Sequence, residues 1–283
     1  MSKKKLVVLG ARGMAGHVMA EHLDATGDYQ VSGVARQPGA FVSQQIDVTD
    51  FSALENFLAI ENPDFVVNCI GVLVASSKQD ISNAILINSY LPHLLSRIGA
   101  SLDYKLIHIS TDCVFSGKAG QYTEDACPDG DDNYARTKVI GEVINSRDLT
   151  IRTSIIGPEL KQDGTGLFGW FLRQTSEVQG YSRAYWSGVT TLELAKVVDA
   201  MIKQEVRGLY QLCPVEKISK YELLKLIACT WNKSIVIKPN DDYQVDKSLA
   251  CTRTDFDSDR PEYGTMLREL KWQNNHRARS LLL

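Results

Sequence analysis

The sequence carries no sign of a zinc site, a disulfide framework or a membrane anchor. Its six cysteines include no CxxC pair and no accompanying histidine pattern, which favours reduced thiols and argues against bound metal. The most apolar stretch, residues 65–75, is broken by Asn68 and Gly71 and is far shorter than a membrane span. After the basic MSKKK segment only four apolar residues precede Gly10, too few for a secretory signal. We therefore expect a cytoplasmic protein without a metal.

A strong charge of either sign is also lacking. The 283 residues carry a net charge of -3, and 44% are hydrophobic and 23% charged. This composition is that of a globular protein and gives no reason to expect nucleic acid or an anionic membrane as a partner. The length suits one large domain, or one domain with a smaller lobe.

A glycine-rich turn follows the first apolar run. Residues 6–9 read LVVL, which is typical of a strand buried on both faces of a parallel sheet. Gly10, Gly13, Met14 and Gly16 belong to the segment GARGMAG, and apolar residues then recur at helical spacing. Glycines between a strand and a helix let the backbone approach a pyrophosphate at the helix N-terminus. The pattern predicts a dinucleotide-binding turn.

The next predicted strand bears on the choice of cofactor. Arg36 lies 20 residues beyond Gly16 (36 − 16), where NAD enzymes often have an acid for the ribose hydroxyls. An arginine there suits a 2′-phosphate instead, although an ordinary exposed loop arginine is the alternative. Asp47 and Val48 follow a short β-like stretch, where they would face the adenine. We expect NADP(H) to be favoured over NAD(H).

The most informative stretch runs from residue 106 to residue 142. LIHI predicts a buried strand, and Ser110 and Thr111 follow at its end. Tyr134 and Lys138 stand four residues apart in NYARTKVIGE, which places them on one face of a helix. A cation beside a phenol lowers its pKa, so Tyr134 could exchange a proton with a carbonyl oxygen held by Thr111. The alternative is an ordinary helical pair.

Further polar residues and glycines follow the ends of other predicted strands. Cys69 and Gly71 come after strand 65–68, and Thr153 ends strand 149–153. Gly71 lets the loop run beside the cofactor or makes a plain turn. Strands alternate with helices up to about residue 155, which predicts an α/β fold with a doubly wound parallel sheet of the Rossmann type. Residues 1–155 form the predicted dinucleotide-binding domain.

The later part of the chain has a different character. KQDGTGLFGWFL and QGYSRAYWSG are rich in glycine and aromatic residues, so we expect substrate loops in which Phe168 and Trp186 contact the ligand. The helix within 189–205 is expected to pack back on the first domain. Residues 156–188 and 206–283 are assigned to a smaller C-terminal α/β substrate lobe.

Several local features make sharper structural predictions. Asp50, Thr190 and Ser219 each precede a helical pattern and are expected to cap it. Asn88 is polar among apolar neighbours in a long predicted helix, 82–98, and is expected to tie strand backbones together. Residues 235–237 predict a short strand.

With these motifs in this order, the chain resembles the extended short-chain dehydrogenases/reductases. STDCVFSG, Glu124 and YARTKVIGE are most similar to the dTDP-4-dehydrorhamnose reductases and related nucleotide-sugar reductases. The resemblance implies that Tyr134 is the acid/base, that Lys138 binds the nicotinamide ribose and that Thr111 positions the substrate. It implies NADPH-dependent reduction of a 4-keto-6-deoxy sugar on a nucleotide for surface polysaccharide synthesis, with a homodimer as a candidate assembly.

Two departures from the rhamnose-pathway pattern fall on the substrate side. Cys113 stands where a tyrosine is usual, and Val189 with Thr190 replaces a proline-threonine pair. The sugar is therefore open between a dTDP-linked rhamnose precursor and a UDP-linked 2-acetamido sugar. Two other functions also remain open: a nucleotide-sugar epimerase or dehydratase, and a non-enzymatic regulatory subunit such as the β subunit of methionine adenosyltransferase, which resembles the same reductases.

Overall fold

The computed structural model describes residues 3–160, 164, 166–256 and 261–280. Its strands are β1 (Lys4–Leu9), β2 (Tyr29–Ala35), β3 (Gln44–Gln45), β4 (Phe65–Asn68), β5 (Lys105–Ile109), β6 (Leu149–Arg152), β7 (Ile155–Ile156), β8 (Val178–Trp186), β9 (Val189–Thr190), β10 (Gly208–Gln211), β11 (Ile218–Ser219) and β12 (Ile237–Asp246). A seven-stranded parallel sheet of order β10-β6-β5-β4-β1-β2-β3 forms its centre. The predicted Rossmann sheet is confirmed.

Ten α-helices lie around this sheet and in the rest of the described chain. They are α1 (Met14–Thr26), α2 (Phe51–Glu61), α3 (Val74–Gln79), α4 (Ile81–Ala84), α5 (Leu91–Leu102), α6 (Asn133–Ile140), α7 (Leu167–Arg173), α8 (Thr191–Lys203), α9 (Lys220–Thr230) and α10 (Tyr263–Ser280). A π-helical turn, Ile85–Tyr90, joins α4 to α5, and a 3-10 turn, Asp112–Val114, follows β5.

The side chains of β1 alternate between the two faces of the sheet, which explains why the fold has two layers of helices. Leu6 and Val8 pack in one core cluster with residues of α1 and α8, whereas Val7 and Leu9 pack in another with residues of α2 and α5. All four side chains are fully buried. Because burying a leucine or valine stabilises a fold by about 1.5–3 kcal/mol, an uninterrupted apolar strand is most stable between two layers.

The predicted helix caps are confirmed. Asp50 accepts a hydrogen bond from Ala53 N at 3.0 Å, and Thr190 and Ser219 cap α8 and α9 in the same way at 3.2 and 3.1 Å. Asn88 lies in the π-helical turn. It links the loop at Val72 to Thr137 of α6, and does not link strand backbones as expected. Its side-chain Oδ1 accepts from Val72 N at 2.8 Å, and its Nδ2 donates to Val72 O at 2.9 Å and to Thr137 Oγ1 at 3.1 Å.

The second half of the chain differs in part from the prediction. A three-stranded sheet, β11-β8-β12, and α9 lie in the region assigned to the smaller lobe, and α8 packs against α1. β10 pairs with β6 in the main sheet, so this part of 206–283 lies outside that lobe. The strand expected at 235–237 instead starts at residue 237 and extends to 246. Its proline and acidic residues are unfavourable for strands, so the sequence pattern did not predict its full length.

Some predicted features cannot be placed. Residues 161–163 and 165 of the glycine-rich loop, and residues 257–260 of the tail, lie outside the described residues. No helix in the described part of the chain combines the length and apolar character that crossing a bilayer requires. All six cysteines are described, and each is a free thiol.

Candidate active site

The glycine turn between β1 and α1 has the shape that a dinucleotide needs. Gly10 has a φ of +83°, in the region that favours glycine, and its carbonyl accepts from Gly13 N at 2.8 Å. A Cβ on Gly16 would lie 2.1 Å from Gly10 O, so only glycine allows this close approach. Helix α1 then begins at Met14 with Gly13 as its cap, and its first backbone N–H groups suit a pyrophosphate. The turn therefore fits the predicted cofactor.

Two arginines lie near the loop that follows β2. Arg36 is exposed directly after the strand, as predicted. Arg12, inside the glycine turn, donates to Gln37 Oε1 at 2.6 Å and contacts the loop at Gly39. Sequence reasoning missed Arg12, although a basic residue between the first two glycines of the turn was visible. A guanidinium group at either position could form charge-assisted bonds to a phosphate.

Asp47 and Val48 follow β3 but differ in exposure. Asp47 is exposed and accepts from the N–H and hydroxyl of Thr49 at 3.1 and 2.8 Å, which lowers the pKa of its carboxyl group. Val48 is buried with Leu54 in the core cluster of the α2 face. Only a small part of Val48 is therefore left for contact with a ligand.

The other predicted cofactor residues line one edge of the sheet. Cys69, Ser110 and Thr153 directly follow or lie just beyond the carboxyl ends of the adjacent strands β4, β5 and β6. Backbone bonds extend the pairing here, from Cys69 N to Leu9 O at 3.1 Å and from Asp112 N to Thr153 O at 3.2 Å. Gly71 is exposed in the loop beyond β4. Ligands of open α/β sheets bind at this edge.

Thr111 is held by the 3-10 turn that follows β5. Its hydroxyl accepts from Cys113 N at 3.1 Å and donates to Asp112 Oδ1 at 3.2 Å. Thr111 is only 7% exposed, so its hydroxyl is fixed and not free to rotate in solvent. This is the local geometry required of a group that orients a substrate oxygen.

Tyr134 lies in the first turn of α6, which Asp132 caps by accepting from Ala135 N at 2.7 Å. Burial raises the pKa of the Tyr134 phenol, and a hydrogen bond with Thr111 opposes that rise. We expected Lys138 to lower this pKa below its ordinary value. For the protein alone that expectation is wrong, because burial disfavours the charged phenolate more strongly. The hydrogen bond between Thr111 and Tyr134 nevertheless brings their two hydroxyl groups together.

Lys138 lies deeper, beneath the end of β5. Its side chain is 3% exposed, and Nζ donates to Ile109 O at 2.8 Å and lies 3.3 Å from His108 Nε2. Burial lowers the pKa of this lysine to about 8, against the opposing effects of Glu142 and Cys69. His108, which the sequence analysis did not single out, is fully buried, and burial and the charge of Lys138 hold its pKa well below the ordinary value.

A buried ion pair lies next to the carboxyl ends of β5 and β6. Arg152 and Glu142 form two hydrogen bonds at 2.8 and 2.7 Å, and both side chains are 3% exposed. Ser110 Oγ donates to the same carboxylate at 2.8 Å, and the guanidinium lies 5.2 Å over the ring of Phe115. Ser110 is thus satisfied by a protein partner, which fixes the strand end next to Thr111.

The predicted substrate residues have different environments. Cys113 lies beside Asp112, and burial raises the pKa of its thiol to about 12. Phe168 is only 4% exposed and packs edge-on against Trp231 at 4.8 Å. Trp186 is 3% exposed and packs against Tyr263. The structure gives Phe168 and Trp186 packing roles, because their rings fill the core of the second half and leave little surface for stacking.

Two lysines that sequence reasoning missed border the Thr111 turn. Lys220, the first residue of α9, lies 5.0 Å over the ring of Trp186, and burial lowers its pKa to about 8. Lys247 lies against Gly117 in the loop beyond Cys113. Burial raises the pKa of Asp112, and the charges of Lys220 and Lys247 oppose that rise. Among the described residues, no three histidine, cysteine or acidic side chains form a metal-binding group.

Comparison with known proteins agrees with this geometry. Residues 4–276 match the family described as the RmlD substrate binding domain. The chain belongs to this family. A dTDP-4-dehydrorhamnose reductase from Mycolicibacterium smegmatis is 34% identical over 146 residues, which are 49% of this chain and 40% of that protein. The chain thus spans less than half the length of the first reductases that it matches.

Two further similarities extend over most of this family member. A dTDP-4-dehydrorhamnose reductase from Bacillus anthracis, solved in complex with NADP, covers 96% of this chain and 100% of that chain, with 18% identity and a TM-score of 0.82. That likeness shows the fold. The β subunit of methionine adenosyltransferase 2 from Rattus norvegicus is 21% identical over 81% of this chain and 72% of that protein. The chain is therefore similar over most of its length to proteins that carry different names.

Proposed function

We propose that the protein reduces the keto group of a nucleotide-linked 4-keto-6-deoxy sugar with NADPH. The observation that carries the proposal is the convergence of Thr111, Tyr134 and Lys138 at the carboxyl edge of the sheet, beside a glycine turn that fits a dinucleotide. When bound, the cofactor supplies a hydride to the ketone carbon. Membership of the family and the likeness to named reductases support the same chemistry.

The roles of the three residues follow from their positions. Thr111 orients the ketone oxygen, and Tyr134 transfers its phenolic proton to that oxygen as the carbon is reduced. Lys138 is proposed to hold the nicotinamide ribose and to help Tyr134 by its charge. Because the pKa of Tyr134 is raised in the protein alone, the phenol is kept protonated and ready to act as an acid.

NADPH is preferred over NADH in this proposal. Arg36 follows β2, and Arg12, in the glycine turn, bonds Gln37 of that loop; either guanidinium could form charge-assisted bonds to a 2′-phosphate. Cys69, Gly71, Ser110 and Thr153 are proposed to line the cofactor along the sheet edge. The Bacillus anthracis reductase was solved with NADP, which supports this choice.

A nucleoside diphosphate suits the charge on the substrate side. Lys220 and Lys247 place two cations beside the Thr111 turn. Cys113 is smaller than the tyrosine usual in the rhamnose pathway, so the pocket has room for a substituent on the sugar. A UDP-linked 2-acetamido sugar therefore remains a rival to the dTDP-linked rhamnose precursor. Surface polysaccharide synthesis in the cytoplasm, by a homodimer, is the proposed setting.

The test is a direct competition between the two substrates. Each 4-keto nucleotide sugar is added to the protein with NADPH, and the fall in cofactor absorbance yields kcat/KM. We expect one of the two to be reduced, with a secondary alcohol as the product. The adenosyltransferase subunit favours one alternative, a regulatory protein that binds the cofactor without turnover. Tight NADPH binding with no reduction of either sugar would establish that alternative.

A further inference from the structure

A buried histidine lies directly beneath the proposed catalytic lysine. His108 sits in β5 with no exposed surface, and its two ring nitrogens contact different side chains. Nε2 lies 3.3 Å from Lys138 Nζ, and Nδ1 lies 3.2 Å from Asn68 Nδ2. Asn68 is also fully buried, at the end of the neighbouring strand β4. The three side chains form a continuous polar chain inside an apolar sheet.

The direction of this chain follows from its first member. Asn68 Oδ1 accepts a hydrogen bond from Ile70 N at 3.1 Å, which fixes the orientation of the amide. Its Nδ2 group therefore faces His108 Nδ1 as a donor, and Nδ1 must accept. Because burial keeps the imidazole neutral, its single proton then lies on Nε2.

The position of this proton determines which protonation state of Lys138 fits the contact. An Nε2–H group can donate only to a lone pair, and a lysine nitrogen has a lone pair only when it is an uncharged amine. That amine still donates to Ile109 O at 2.8 Å, so the chain from Asn68 to Ile109 runs in one direction without a conflict. A charged ammonium would instead direct a hydrogen at the Nε2–H.

We propose that His108 is a positioning residue that donates its Nε2–H to Lys138 and favours the uncharged amine. Three titratable side chains act on the lysine: His108 from β5, Cys69 after β4, and Glu142 just beyond the end of α6. Glu142 and Cys69 favour the ammonium and burial opposes them. The Nε2–H of His108 adds to that opposition in this proposal. Any catalytic importance of this balance rests on the proposed reductase function, but the protonation equilibrium itself does not.

Two substitutions test the chain in different ways. His108→Asn keeps an amide near the Nδ1 position and the contact with Asn68, but it is too short to reach Lys138. Asn68→Asp leaves His108 and Lys138 in place and reverses the chain, because a carboxylate accepts from Nδ1–H and turns the Nε2 lone pair toward the lysine. Both changes remove the donor that favours the amine.

The measurement is the titration of Lys138 in the intact protein labelled with [ε-13C]lysine, with the signal identified by its loss in Lys138→Met. We expect the midpoint to rise by roughly half a unit to one unit in His108→Asn, the size of one net hydrogen bond. In Asn68→Asp, which adds a negative charge, the rise should be larger. The readout needs no substrate, so a protein that fails to reduce any keto sugar still reports on His108.

His93→Asn is the matched control. His93 is exposed and bonds the backbone of α6 through Ile140 O at 2.7 Å, and its charge acts on His108 but is not among the groups that shift Lys138. Its replacement should leave the Lys138 midpoint where it is. A midpoint that falls or stays constant in His108→Asn overturns the proposal. If His108→Asn does not fold, His108→Phe, which keeps a ring and has no donor, takes its place with the same expected rise and the same overturning result.

Discussion

The protein places tyrosine and lysine together in two regions that differ mainly in burial. At the carboxyl edge of the parallel sheet, Tyr134 is partly buried and Lys138 is buried, and burial shifts the pKa of each. On the outer face of the β8 sheet, Lys217 lies 4.5 Å over the ring of Tyr185, which is 36% exposed. The two pairs combine the same residue types. The pair at the sheet edge has the environment in which proton transfer can be tuned, whereas solvent screens the outer pair.

The largest expected difference between the regions concerns the two phenols. Tyr134→Phe should lower kcat by roughly 10²–10⁴-fold, the usual contribution of a general acid, while NADPH binding is retained. Tyr185→Phe removes the same atom from the outer face and should leave kcat within about twofold, as expected for an exposed side chain without a catalytic contact. Steady-state kinetics on both variants measures the contrast. Equal losses would mean that the proton comes from another group.

The ion pairs of the two regions should differ in stability. Arg152→Met leaves Glu142 buried without its partner and should destabilise the fold by about 3–5 kcal/mol. Lys238→Met breaks a pair with Glu177 whose side chains are 61% and 48% exposed, and should cost less than about 1 kcal/mol. Urea unfolding gives both values. A small loss for Arg152→Met would show that the edge tolerates an unpaired charge.

Lys138 and Lys217 extend the comparison between the two regions. Lys138→Met should weaken both NADPH binding and turnover, because the amine is proposed to serve both. Lys217→Met, which breaks a 2.5 Å pair with Asp246, should change neither. Isothermal calorimetry and initial rates separate the two effects. A loss of turnover with unchanged cofactor affinity would remove the ribose-binding role.

The pH dependence of cofactor binding follows from the same lysine. The pKa of Lys138 is lowered to about 8, so its positive charge is present below that pH and is lost above it. NADPH affinity should therefore fall as the pH rises through about 8, and the fall should be absent in Lys138→Met. Calorimetric titrations between pH 6.5 and pH 9.5, a range of roughly 1.5 units on each side of this pKa, cover the transition. An identical profile in the variant would assign the transition to another group.

The smallest effect is expected at Arg36. Arg36→Ala should reduce the preference for NADPH over NADH by about tenfold, which corresponds to one charge-assisted hydrogen bond. The affinity for NADH should be nearly unchanged. Arg12→Ala should act in the same direction, since the Arg12 guanidinium reaches from the glycine turn to Gln37, next to Arg36 in the chain. Comparable affinities for the two cofactors in the wild type would contradict the assignment.

Local signals in the sequence predicted the sheet edge well. The glycine turn, the alternation of strands and helices and the caps at Asp50, Thr190 and Ser219 depend on neighbours within a few residues. Such features are encoded by spacing and residue type alone. The motifs also suggested that Tyr134 would act beside Thr111, and the two side chains do share a hydrogen bond, although Tyr134 lies in α6 and not at a strand end.

Long-range contacts were the part that could not be predicted. His108 meets Asn68 and Lys138 across 40 and 30 residues, and only the fold brings them together. The burial of Phe168 and Trp186 depends on packing within the second half of the chain, so aromatic character alone suggested ligand contacts instead. A histidine inside the apolar run LIHI was nevertheless a visible anomaly, since a buried polar group requires a partner.

The most direct test of the central claim is hydrogen exchange of the whole protein with and without NADPH. If the carboxyl edge is the working site, amides of residues 10–16, 69–71 and 110–114 should exchange more slowly when the cofactor is bound. Amides of residues 179–185, on the outer sheet, should not change. Slower exchange on the outer sheet, with no change at the carboxyl edge, would contradict the account.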